Sequence, residues 1–208
     1  MKEQPARGRR DQERLREQRI LRAAIEELAL SDYGGMSIEG VARRAGVNKT
    51  TVYRKWETKA DLIRAALSSV FENFRVGPTA GDLRSDVLRI AKLVRAFTQS
   101  FEGKSLTRLR LLEHPAPELA AIANKLNSQQ LAELSALIEA AIARGEIARD
   151  TDVLLLLDML WGVVYARIEM RNEPVSDALL ERIVDVLVDA ARFAKKPQRK
   201  LAKRKRKA

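Results

Sequence analysis

Between residues 42 and 52 the chain reads ARRAGVNKTTV, and the spacing of Ala42, Gly46 and Val52 constrains its folding more than any other feature. Two short helices joined by a tight turn pack together only if their backbones come close. Ala42 provides a small residue inside the first helix, and Gly46 tolerates a left-handed backbone in the turn. Val41, Val47 and Val52 fall where they close the core behind it. The pattern predicts a helix-turn-helix, a motif that lays its second helix in the DNA major groove.

The flanking sequence is helical by its period. Leu21, Ala24, Ile25 and Leu28 recur at spacings of three and four. In SDYGG, residues 31–35, Asp32 or Gly34 is placed to end that first helix in a left-handed cap. Ser37 caps a second helix over residues 38–45, and Asn48 a third that reaches Trp56. Thr58 and Asp61 resemble a capping box opening a fourth. Beyond the turn cluster VGPTAGD, residues 76–82, five further helices are expected at about 82–101, 104–113, 117–143, 151–171 and 176–194. Period-two alternation is nowhere sustained. The reading is an all-α protein of about nine helices. A flexible basic arm covers residues 1–10, a helix-turn-helix domain 11–74, a helical body 75–194 and a basic disordered tail 195–208.

Charge follows the same division. The net +11 separates into +5 over residues 1–60, −3 over 61–194 and +9 over 195–208. A basic head on a mildly acidic body points to nucleic acid as partner. The tail KKPQRKLAKRKRKA supports a rival reading, a non-specific architectural nucleic-acid-binding protein. With no cysteine, disulfides and zinc-thiolate sites are excluded. The single histidine, His114, sits beside Pro115 and reads as a cap or surface residue, so neither a metal nor a cofactor is expected. An enzyme lacks a foothold: there is no Cys nucleophile, no His beside a Ser and no Gly-rich phosphate loop. Asp150 and Asp152 beside Thr151 read as helix caps. No apolar run opens the chain to suggest a signal peptide. The most apolar stretch, residues 153–166, carries Asp158 and falls short of the roughly 20 apolar residues a bilayer needs. A cytoplasmic protein is expected.

Residues 37–67, SIEGVARRAGVNKTTVYRKWETKADLIRAAL, preceded by the amphipathic first helix, resemble the DNA-binding domain of the TetR family of transcriptional regulators. The Ser-capped second helix, AGV, TVYRKW and TKADLI carry the likeness, which spans about residues 15–67. Gly40 and Asp32 depart from it, each at a cost of up to roughly 1 kcal/mol in local helix stability. The resemblance implies that the third helix enters the major groove, with Lys49, Thr50, Thr51, Tyr53, Arg54 and Lys55 as contacts. Asn48 and Ser37, at helix starts, are further polar candidates, and Lys55 and Lys59 suit phosphate clamping. Trp56, one turn after Val52, belongs to the core rather than to DNA.

For the body, the resemblance implies a two-fold homodimer built by the last two helices and an effector-binding domain. Leu154, Leu157, Trp161 and Tyr165 on one helix, with Leu179, Ile183, Val186 and Leu187 on the other, are interface candidates; about half would fill the chain's own core. Phe71, Phe74, Phe97, Phe101, Leu109, Met159 and Trp161 are candidates to line an apolar effector pocket, with ordinary core the competing reading for each. The expected partners are a double-stranded operator, a second copy of the chain and a small hydrophobic effector. The expected function is a repressor released by that effector, with activation the alternative.

Overall fold

The computed structural model describes residues 4–111, 117–191 and 193. Among them there are nine α-helices, one π-helical turn and no strand, as the apolar period implies. His114 and the tail 195–208 lie outside the described residues.

Helix α1 spans Gln4–Gly35, α2 Ile38–Ala45, α3 Lys49–Tyr53 and α4 Lys59–Asn73. They are followed by α5 (Leu83–Gln99), α6 (Phe101–Leu111) and α7 (Pro117–Ala143). Helix α8 (Val153–Tyr165) runs on into the π-helical turn Ala166–Met170, and α9 spans Asp177–Ala190. Helix α1 begins at Gln4, ahead of the expected start at Asp11, so residues 4–10 are helical where a loose arm was expected. Pro5 is tolerated in a first turn, and Ala and Arg are good helix formers.

Among the described residues two compact units emerge, one from those up to residue 77 with those between 95 and 135, the other from residues 78–94 with those from 136 onward. The first unit takes in α6 because α1 packs on α6 as well as on α2 and α4. Both α5 and α7 contribute residues to each unit.

In the first unit one stripe of α1, including Ile25 and Leu28, meets Val41 of α2, Val52 of α3, and Leu62 and Ile63 of α4. Each of these is fully buried, and each large aliphatic contributes about 1.5–3 kcal/mol by leaving water. Asp32 ends the regular part of α1 at φ 55° and ψ −175°, a backbone that side chains rarely adopt. Its carboxylate accepts from the Gly35 N–H at 2.9 Å.

The second unit is built on Leu160 and Val164 of α8 against Leu180, Val184 and Leu187 of α9, with Ala91 and Val94 of α5. Its entry turn is pinned by Asp86, which accepts from the Thr79 hydroxyl at 2.6 Å and the Ala80 N–H at 2.7 Å. Arg89 balances the buried carboxylate at 2.8 Å.

Candidate nucleic-acid interface

The α2–α3 turn has the geometry its sequence requires. Gly46 takes φ 64°, and the Val47 N–H donates back to the Ala42 carbonyl at 3.0 Å. A Cβ at Gly46 would meet nothing, so backbone conformation alone demands glycine there. Asn48 caps α3: its Oδ1 accepts from the Thr50 N–H at 3.0 Å and the Thr50 hydroxyl at 2.9 Å. The regular helix ends at Tyr53, but its hydrogen bonding continues through the Trp56 N–H to the Val52 carbonyl at 2.9 Å.

Helix α3 divides cleanly by face. Val52 and Trp56 are buried, whereas Asn48, Lys49, Thr50, Tyr53 and Arg54 are exposed and Thr51 is half-buried. Tyr53 keeps 43% of its surface in solvent and Trp56 only 6%. The exposed set mixes short polar groups, one aromatic ring and two long cations, a composition suited to base edges and phosphates. Ser37 caps α2 by accepting from the Gly40 N–H at 3.0 Å, which leaves its hydroxyl proton available.

Two expected phosphate clamps are already engaged. The Lys59 ammonium donates to the Tyr33 carbonyl at 2.6 Å and to that of Met36 at 3.5 Å. It also lies 4.5 Å from the centre of the Tyr33 ring. Lys59 therefore ties α4 to the end of α1, where loose carbonyls attract a cation. The phenol of Tyr33 is held above its ordinary pKa, chiefly by burial and then by the Glu118 carboxylate. The Lys55 ammonium pairs with Glu17 of α1 at 2.5 Å and lies 5.4 Å from the Trp56 ring centre. Lys49 makes only a loose pair with Glu39 at 3.9 Å.

Gly40, a departure from the family pattern, has a local explanation. Glu27 of α1 is 5% exposed and accepts from Arg44 Nε at 2.6 Å. A Cβ on Gly40 would overlap the Glu27 carboxylate, so glycine makes room for a part-buried ion pair joining α1 to α2. Arg44 thereby has a structural role. Gly40→Ala should destabilise the chain by about 1–2 kcal/mol, because displacing a part-buried charged hydrogen bond outweighs the helix gain of about 1 kcal/mol. In a Glu27→Ala background the same substitution should stabilise; urea unfolding of the four chains checks the reversal of sign. The predicted box at α4 also forms, with a variation. The Thr58 hydroxyl accepts from the Asp61 N–H at 3.1 Å and donates to the Asp61 carboxylate at 2.6 Å. That bond, followed by Arg64, holds the Asp61 carboxyl below its ordinary pKa.

The body candidates separate into groups. Phe71, Phe74 and Phe97 are half-buried on the first core, with Phe74 and Phe97 edge-to-face at 5.2 Å. Phe101 is exposed beneath the Arg22 guanidinium, 5.2 Å from its ring centre. Leu109 lies in α6, its side chain outside the described residues. Met159 and Trp161 are exposed on α8, in the second unit. Of the interface candidates, Leu154, Trp161 and Val186 are exposed, and Leu157, Tyr165, Leu179 and Ile183 half-buried. Leu187 takes the competing core reading: it is 5% exposed and packs in the chain's own core. It shares the α9 stripe of Leu180 and Val184, whereas Val186 lies about 100° around the helix.

Among the described residues no group of His, Cys, Asp or Glu could hold a metal ion, and no helix is long and apolar enough to cross a membrane.

Comparison with known proteins agrees with this architecture. Residues 20–66 match the family described as bacterial regulatory proteins, tetR family, and residues 78–187 match the tetracyclin repressor-like C-terminal domain. A DNA-binding transcriptional repressor TetR of Mycobacteroides abscessus is 32% identical over 169 residues, covering 80% of this chain and 88% of that one. The HTH-type transcriptional regulator AqdR of Rhodococcus erythropolis is 28% identical over 171 residues, covering 82% and 83%. A crystal structure of the TetR family transcription regulator SCO0332 superposes with a TM-score of 0.57 at 32% identity, covering 82% of this chain and 94% of that one. The fatty acid degradation regulator FadR of Bacillus halodurans shares the fold, with a TM-score of 0.66 at 20% identity over 84% and 98% of the chains. The helix-turn-helix head, the helical body and these matches across both place the chain in the TetR family of DNA-binding, non-enzymatic transcriptional regulators.

Proposed function

We propose that the chain is a homodimeric cytoplasmic repressor that reads a palindromic operator through α3 and leaves it when a small apolar effector binds. The observation that carries this reading is the division of α3, with Trp56 and Val52 anchored and Lys49, Thr50, Thr51, Tyr53 and Arg54 facing outward. The Ser37 hydroxyl and the Asn48 amide group flank that face as further polar contacts. One helix of this length reads few base pairs, so specificity calls for two copies at half-sites about 34–36 Å apart.

Leu154 and Val186 support the second copy, since each is an aliphatic residue 63% exposed to water. Leu157, Trp161, Tyr165, Leu179 and Ile183 would extend that contact. The aromatic group Phe71, Phe74 and Phe97 is the apolar surface most suited to an effector, which acts only if it binds the two states of the dimer unequally.

Selection of bound fragments from genomic DNA tests the reading. Recovery of a shared palindrome supports it, and uniform recovery of all sequences overturns it in favour of a non-specific binder. Leu154→Asp with Val186→Asp should yield a folded monomer by light scattering; a persistent dimer would remove this surface from the interface.

A further inference from the structure

On the reading that α3 faces DNA, we infer that Glu17 is a brake on phosphate binding: it withholds the Lys55 ammonium from the DNA backbone and so limits non-specific affinity. Lys55 lies immediately after Arg54, at the exposed end of the reading helix. Its charge would ordinarily count toward any duplex the head meets. Instead a carboxylate from α1 holds it at 2.5 Å, with the Lys55 side chain half in solvent and that of Glu17 about a third. A carboxylate there offers the same two-oxygen anionic partner that a phosphate would. Lys55 is also fixed from below by the Trp56 ring, so its head is held near this position.

The arrangement at the other end of α3 provides an internal comparison. Lys49 also faces a carboxylate, Glu39, but at 3.9 Å with both side chains more than half exposed. A pair that open is worth little and yields readily to a phosphate. Among the described residues Arg54 makes no ion pair. The three cations of the reading helix are thus graded, with Arg54 making no ion pair, Lys49 loosely held and Lys55 most closely held. A chain of net charge +11 binds any polyanion by counterion release, and each phosphate-neutralising cation adds to that sequence-independent affinity. Closing one cation per head reduces that contribution while leaving the polar groups that read bases untouched.

The test is a salt titration of the full chain on a random-sequence duplex, read by fluorescence anisotropy. Glu17→Gln should bind more tightly and steepen the dependence of log K on log salt by about 0.9 per protomer, the value of one more neutralised phosphate. Over a fourfold range of salt that slope amounts to about a threefold further gain. Glu39→Gln should change the slope by much less. In a Lys55→Met background Glu17→Gln should have no effect on the slope, because the cation it releases is gone. Thermal melts of each variant confirm that the fold persists. An unchanged slope in Glu17→Gln, or the same gain in the Lys55→Met background, overturns the inference. Arg54→Ala distinguishes the two levels of failure. If it lowers the slope while Glu17→Gln does nothing, the brake alone is wrong. If it leaves the slope unchanged, α3 does not face DNA and both fall.

Discussion

Trp56→Ala should cost about 3–5 kcal/mol and abolish DNA binding, although the ring is buried in the head's own core. The indole is buried with Val52 one turn earlier, in a core shared with α1, α2 and α4. Its removal opens a cavity beneath the end of α3, where surrounding helices relax only in part. Total stabilities of about 5–15 kcal/mol make that loss a large fraction of what holds the head together. Tyr53→Ala, three residues earlier on the exposed face, should shift stability by no more than about 0.5 kcal/mol. Urea unfolding followed by far-ultraviolet circular dichroism checks both. Similar losses for the two rings would contradict the division of α3 into an anchored and an outward face.

Gly103→Ala should also be severe, at about 3 kcal/mol or more, where an ordinary helical glycine would gain about 1 kcal/mol on the same change. Helices α5 and α6 meet at a corner of one residue, Ser100. The Ser100 N–H donates to the Ala96 and Phe97 carbonyls, each at 3.0 Å. Its hydroxyl donates to the Phe97 carbonyl at 2.8 Å and accepts from the Gly103 N–H at 2.9 Å. A Cβ on Gly103 would overlap the Phe97 carbonyl, which is backbone and cannot rotate away. Relief requires α6 to swing off α5, which disturbs its packing on α1. A melting temperature that rises in Gly103→Ala would refute this account of the corner.

The parts of the chain legible beforehand are those whose cause is local. Ala42, Gly46 and Val52 specify the turn within eleven residues, and Ser37, Asn48 and Thr58 cap their helices through groups two or three residues on. Asp32 likewise takes the positive φ that SDYGG leaves to it or to Gly34, but with ψ −175°, as a kink in place of a left-handed cap. What escaped the sequence depends on distant partners. Lys59 and Lys55 carry the charge of phosphate clamps, but their ligands, the Tyr33 carbonyl and Glu17, belong to another helix. Gly40 looks like a weakness until Glu27 is seen against it. Only the departure from the family pattern at Gly40 signalled that something unusual sits there. Glu17, on the same face of α1 as the core residues Ala24 and Leu28, offers no such sign. Leu187 and Val186 are neighbouring aliphatic residues on a helix apolar on two sides, so the assignment of core and surface needs the packing of α8 on α9.

The packing of the head extends past residue 74 for a related reason. VGPTAGD does break the helical pattern, but a break in sequence is not a break in packing. The apolar stripe of α1 continues onto α6 and α7 through Leu106, Leu119, Ile122 and Leu126, which fold with the head.

The central claim, that the outward face of α3 reads DNA sequence, is tested most directly by titrating the duplex recovered by genomic selection with wild type and with Tyr53→Ala. Loss of one specific contact should weaken binding to that duplex by about 1–3 kcal/mol, roughly 5- to 150-fold, with the melting temperature and the dimer unchanged. Affinity for a scrambled duplex should fall far less. Equal affinity of the two proteins for the selected duplex would contradict the claim.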